Sequence, residues 1–227
     1  MIREEARRLG LRTSTIPTLS LGRPTRNAEI ICDWLGRHSS SPVVLVSLSK
    51  GATDVKMALT HRKAEAAFRH VIAWINVGGL LSGSPMVGWM LDRWWATCLG
   101  RISFWAHQRD YELVREMDPR PGGQLDFALK VPNHMNCIHV AAFPLKQHVL
   151  NPRARLWHRR LTPEGPNDGL MLLSDLCGVP GYILPVWGVD HYMEDLRVLR
   201  RLIPALFQSM EEMILWRESD TTSGIPQ

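Results

Sequence analysis

The sequence predicts an α/β fold: a mainly parallel sheet flanked by helices, with a helical cap inserted over residues 80–134. Two observations carry this. Short apolar runs rich in β-branched residues recur at 42–49, 71–79, 136–145 and 181–188, and they lack the alternation of a half-exposed strand. Between them lie stretches with apolar residues at helical spacing, and strands alternating with helices imply parallel pairing through crossovers.

The elements follow in order. IREEARRLG (2–10) places Ile2, Ala6 and Leu9 on one helical side, with Gly10 as a stop. LRTSTIPTLSLG (11–22) reads as a strand that Pro17 weakens. PTRNAEIICDWLGRH (24–38) is an amphipathic helix with Ala28, Ile31, Cys32 and Leu35 on its apolar side. PVVLVSLS (42–49) is a buried strand, and the helix after it carries Val55, Ala58 and Leu59 at i, i+3 and i+4. VIAWINVGG (71–79) and NCIHVAAFPL (136–145) are further buried strands. RLWHRRLTPEGPNDGL (155–170) reads as a long polar loop, and GYILPVWG (181–188) as a short fourth strand. Leu196, Leu199, Ile203, Leu206, Met210, Met213 and Ile214 keep helical spacing from Met193 to Trp216, with a kink expected at Pro204. RESDTTSGIPQ (217–227) reads as a frayed tail.

At 227 residues the chain suits one domain with an insertion, and 45% apolar residues with nine tryptophans suffice for a packed core. The net charge of +5 is modest. The dense basic cluster RARLWHRR (153–160) has no nucleic-acid-binding motif beside it, so no nucleic-acid partner is expected. Cys32, Cys98, Cys137 and Cys177 are far apart with no metal-ligand spacing. MIREEARRLG is charged, unlike a secretory leader, so reduced thiols in a cytoplasmic protein without a metal or cofactor are the expectation. Val71 to Leu91 is uncharged and long enough for a bilayer. However, Asn76, four glycines, two serines and Pro85 make it a strand followed by a loop.

Ligand sites in such sheets lie at the carboxyl ends of the strands. Ser49 ends the first buried strand and precedes a helix. In S-L-S-K-G, Ser47 and Gly51 give it small neighbours at i−2 and i+2, as a strained nucleophile-bearing turn requires. Alone, the motif fits equally well a strand end that caps a helix. Asp168, in the loop EGPNDGLMLLSD, and His191, in VWGVDHYMEDL after the fourth strand, shift that balance. A serine needs a base to take its proton, and the base needs a carboxylate to orient it. Asp175 and Asp190 are weaker candidates for that acid, since Asp190 adjoins His191 and is expected to face away.

These residues resemble the α/β-hydrolase superfamily, particularly its lipases and esterases. SLSKG looks like the family's G-x-S-x-G elbow with Ser47 in place of the first glycine. INVGGLLSGSP (75–85) resembles the glycine-rich segment after the elbow helix, GPNDGLM the loop of the acid, and GVDHYME the loop of the histidine. The resemblance implies a serine hydrolase cleaving carboxylic esters or lipids, with Ser49 as nucleophile, His191 as base and Asp168 as acid. The Lys50 backbone N–H becomes an oxyanion donor. The Lys50 side chain is unusual for the family, and it is either solvated or a lure for anionic substrates. Gly79, Leu80, Met86, Trp89 and Trp94 become substrate-pocket candidates.

The apolar residues of 80–134, among them Met86, Trp89, Met90, Trp94, Trp95, Leu99, Phe104 and Trp105, read first as core and second as a lid over an acyl pocket. In the family several strands and an oxyanion loop precede the elbow strand, whereas 42 residues precede Val43 here. The resemblance therefore implies either a truncated form or a compact variant in which 11–22 lies beside the elbow strand. The oxyanion loop is missing in both cases. A catalytically weak or inactive truncated hydrolase serving as a binding or interaction protein is the alternative reading. A third is a membrane-surface protein that uses the Trp-rich segment and the 153–160 cluster. The same residues also serve acyltransferases and thioesterases.

Overall fold

The computed structural model describes residues 2–8, 10–38, 40–193, 195, 197–198 and 200–209. Two compact units emerge, residues 16–192 and the two ends of the chain, 1–15 with 193–227. In the unit of the chain ends, α1 (Ile2–Arg8) stops at Gly10 as expected. Gly10 takes a φ of 73°, and the N–H groups of Gly10 and Leu11 reach back to the carbonyls of Arg7 and Ala6. Residues 197–198 and 200–209 are helical, with Pro204 inside the helix. Leu196, Leu199, Met210, Met213, Ile214 and the tail 217–227 lie outside the described residues.

The larger unit opens without the expected strand. Residues 16–22 pair with no strand; instead Leu19 exchanges both backbone hydrogen bonds, each 2.9 Å, with the buried side chain of Asn27. One amide side chain thus satisfies the groups a ladder would have satisfied. The strand at Val43–Leu48 pairs with the strand at Val71–Val77 and with no residue of 16–22, so the compact-variant expectation is corrected.

The helix α2 (Pro24–His38) buries Ala28, Ile31, Cys32 and Leu35, the apolar side expected for it. It packs on α3 (Lys50–Leu59) and α4 (Ala64–Phe68). The strands β1 (Val43–Leu48), β2 (Val71–Val77), β3 (Asn136–Phe143) and β4 (Tyr182–Trp187) form one parallel sheet in the order β1-β2-β3-β4. In register, Leu48 faces Val77, Val77 faces Val140, and Phe143 faces Trp187, so all four strands end on one edge. Trp74 and Phe68 are fully buried in the core between sheet and helices.

The segment between β2 and β3 holds three helices: α5 (Pro85–Leu91), α6 (Trp94–Ala106) and α7 (Glu112–Glu116). The core reading fails for α6. Only Ala96 is buried there, while Trp94, Trp95, Leu99, Ile102 and Trp105 are exposed. The first part of the expected polar loop is also helical, α8 (Pro152–Leu161). The Asn151 side chain accepts from the N–H groups of Arg153 and Ala154, Pro152 starts the helix, and Ala154, Trp157 and Leu161 are buried at i, i+3 and i+7. Charge density hid an amphipathic helix with an ordinary cap.

Candidate active site

The turn from β1 into α3 holds Ser49 at a φ of 49° and a ψ of −119°, a conformation that costs a non-glycine residue about 1–3 kcal/mol. The strain is held from both sides, since the Ser49 N–H continues the sheet to the Val77 carbonyl at 2.9 Å. The Ser49 carbonyl also accepts from the Leu80 N–H at 3.2 Å. Neither serine of S-L-S-K-G caps the helix. Ser49 makes no side-chain cap bond, and Ser47 Oγ accepts from the buried Trp74 indole N–H at 2.8 Å. A Cβ added at Gly51 would sit 3.6 Å from the Ser47 Cβ, so the two small residues flank the turn in ordinary contact. The serine in the first position fits because its hydroxyl turns toward Trp74.

The loops after α8 and β4 bring the other two residues to Ser49. His191 Nε2 lies 2.9 Å from Ser49 Oγ, and His191 Nδ1 lies 2.8 Å from Asp168 Oδ2. Asp168 is fully buried, and its other oxygen accepts from the N–H groups of Leu170 at 2.9 Å and Met171 at 2.7 Å. These two donors fix the orientation of the carboxylate. The His191 N–H donates to the Asp168 carbonyl at 2.9 Å, which locks the two loops together. With Nδ1–H donating to Asp168, the His191 Nε2 lone pair is left to accept the Ser49 hydroxyl proton.

Each residue of the N-D-G sequence has a separate task. Asn167 builds the loop, its side chain accepting from the Gly169 N–H and donating to the Gly165 carbonyl. Asp168 supplies the carboxylate. Gly169, at a φ of 103°, passes so close to α8 that an added Cβ would lie 2.9 Å from the Ala154 carbonyl oxygen.

The other acids are committed elsewhere. Asp190 Oδ2 accepts from the N–H groups of Leu150 and Asn151, and its Oδ1 accepts from the Tyr192 N–H, so it braces the histidine loop and faces away from the ring. Asp175 Oδ2 accepts from the Leu172 N–H, and burial pushes its carboxyl up to about 6, with Asp168 contributing. The Lys50 N–H belongs to the first turn of α3, where N–H groups lack partners within the helix. Its ammonium is 2.6 Å from Asp54 Oδ1, and Asp54 Oδ2 accepts from Asn27 at 2.9 Å. The Lys50 side chain is therefore engaged within α3 and is not a solvated charge.

Among the pocket candidates, Gly79 and Leu80 lie against the serine turn. A Cβ on Gly79 would clash with Asn76 Oδ1 and the Ala52 Cβ. Met86 and Trp94 are exposed, and Trp89 is half-buried between the rings of Trp95 and Trp157. Gly78, passed over in favour of its neighbour, borders the histidine: an added Cβ would sit 3.5 Å from His191 Cε1. The paired glycines after β2 are the signal for it, since such pairs mark close backbone approach. Asn76 and His139 form a further buried polar pair, 3.0 Å apart in mid-sheet. His139 Nε2 is bonded to the Pro180 carbonyl, and burial holds the ring below its usual pKa.

A parallel sheet whose first strand turns sharply through a serine into a helix, with a histidine and a buried aspartate brought in by the loops after β4 and α8, defines a class of architecture. The sequence matches no protein-family model, and no curated protein matches it. Solved structures do match in fold. The metagenomic carboxyl esterase MGS0156 superposes with a TM-score of 0.66 at 24% identity, over 84% of this chain and 57% of that one. The mature Bacillus licheniformis lipase BlEst2 superposes with a TM-score of 0.64 at 19% identity, over 89% and 83%. Mouse alpha/beta hydrolase domain-containing protein 10 gives 0.51 at 13% identity, over 93% and 82%. The chain has the α/β-hydrolase fold, and it spans little more than half the length of the esterase.

Proposed function

We propose that the protein is a serine hydrolase that cleaves carboxylic esters, lipid esters included, through an acyl-enzyme on Ser49. The observation that carries the reading is the unbroken line from Ser49 Oγ to His191 to the buried Asp168, at 2.9 and 2.8 Å. Both distances are within reach for proton transfer.

His191 takes the Ser49 proton as Oγ attacks the ester carbonyl, and Asp168 stabilises the imidazolium that forms. The Lys50 N–H, at the positive end of α3, donates to the developing oxyanion. His191 then returns the proton to the leaving alcohol, and water releases the acyl group by the same steps in reverse order. The strained turn supports the reading, because backbone strain persists only where its surroundings hold it. Small-molecule esters are the substrate class, in keeping with the esterase and lipase among the fold neighbours.

Labelling with a fluorophosphonate probe tests this. The folded protein takes up one probe per chain and Ser49→Ala takes up none; a folded wild-type protein that stays unlabelled contradicts the proposal.

A further inference from the structure

The apolar helix of the insertion faces the wrong way for a core element. Its inward side is mostly small: Thr97 Oγ1 donates to the Met90 carbonyl of α5 at 3.0 Å, Gly100 lets the Met90 sulfur approach, and Phe104 alone is large, edge-on to Tyr111. The opposite side carries Trp94, Leu99, Ile102 and Trp105, which are 79%, 60%, 61% and 81% exposed. A soluble helix normally shows the reverse arrangement. Contiguous exposed aromatic surface of this kind marks an interaction site.

A chain of edge-on ring contacts joins this face to the basic helix. Trp95 meets Trp89 at 5.7 Å, and Trp89 meets Trp157 of α8 at 5.5 Å. The guanidinium of Arg160 lies over the rings of both Trp89 and Trp157, and Arg93 lies over Trp89. Between Arg93 and Arg109 the chain has three arginines and no carboxylate, and α8 adds Arg153, Arg155, Arg159 and Arg160, again without one. The flanking acids Asp92 and Asp110 are paired with Arg120 and Arg23. The result is an exposed Trp/Leu/Ile face continuous with a positive one whose arginines, among the described residues, form no salt bridge.

From this pairing we infer that α6 and α8 form a docking face for an anionic phospholipid surface. Tryptophans suit the headgroup boundary, aliphatic side chains reach the acyl layer, and arginines take the lipid phosphates and carboxylates. No helix among the described residues is long and apolar enough to cross a membrane, so the contact is with the surface. The inference does not rest on the proposed ester chemistry.

Flotation of the full chain with vesicles tests it, comparing phosphatidylcholine alone with phosphatidylcholine containing about one third phosphatidylserine. The protein floats with the anionic vesicles and much less with the neutral ones. The double variant Trp94→Ser/Trp105→Ser, at exposed positions and with an unchanged thermal melt, weakens partitioning about tenfold or more. Arg153→Glu/Arg159→Glu weakens it similarly and lessens its salt sensitivity. Failure of the folded protein to bind anionic vesicles, or binding indifferent to both variants, overturns the inference. So does a solution dimer that the Trp variant dissociates, since a second copy would then cover the face.

Discussion

Asp168 and Asp190 show how neighbouring contacts settle residue roles. Both carboxylates are buried near His191. Asp190 spends its oxygens on three backbone N–H groups, while Asp168 keeps one oxygen for the imidazole. Replacing Asp168 with Asn turns an acceptor into a group able to donate, favours the wrong tautomer of His191, and should lower kcat/KM about 10³–10⁴-fold. Replacing Asp190 with Asn leaves the histidine's partner in place and should cost less than about tenfold, with a modest loss of stability. Ester hydrolysis rates of the two variants, measured beside their thermal melts, check the assignment; equal losses would contradict it. Chain order and strand ends made the three aligned residues legible in sequence. The direction of Lys50 was not legible, because its engagement depends on Asp54 one helical turn away and on the Asn27 side chain that holds Asp54.

The N-D-G loop works as an element because α8 stands behind it. Gly169 both adopts a positive φ and presses on Ala154, whereas Gly165, at a φ of 142°, faces open space. Gly169→Ala should therefore destabilise by at least about 2 kcal/mol and depress activity, and Gly165→Ala should cost about 1 kcal/mol. Urea unfolding of both variants separates close approach from backbone preference; equal costs would deny that α8 shapes the loop. This helix was missed in sequence because four of its six exposed residues are arginine, although Asn151-Pro152 and the spacing of Ala154, Trp157 and Leu161 mark it. The opposite error occurred at 11–22, which read as a strand although at Leu19 the Asn27 side chain takes both backbone hydrogen bonds. For α6 the periodicity was right and its direction was not, since an apolar stripe does not say whether core, lipid or a partner covers it.

On the scale of the molecule, the parallel pairing was readable because apolar runs alternate with helices, which leaves parallel neighbours as the simple solution, whereas the order β1-β2-β3-β4 comes from the structure. The site follows from it. Four parallel strands end on one edge, and the loops leaving β1 and β4, with the loop after α8, deliver Ser49, His191 and Asp168 to the same point. The fold is shared with an esterase and a lipase at 24% and 19% identity, so the chemistry rests on the site itself. The most direct measurement follows an activated p-nitrophenyl ester through the first turnover, with peptide mass mapping of the quenched protein. The account predicts a burst of one p-nitrophenolate per chain and one acyl group on Ser49, both absent in Ser49→Ala. Turnover that survives in Ser49→Ala, or an acyl group carried on another residue, would contradict it.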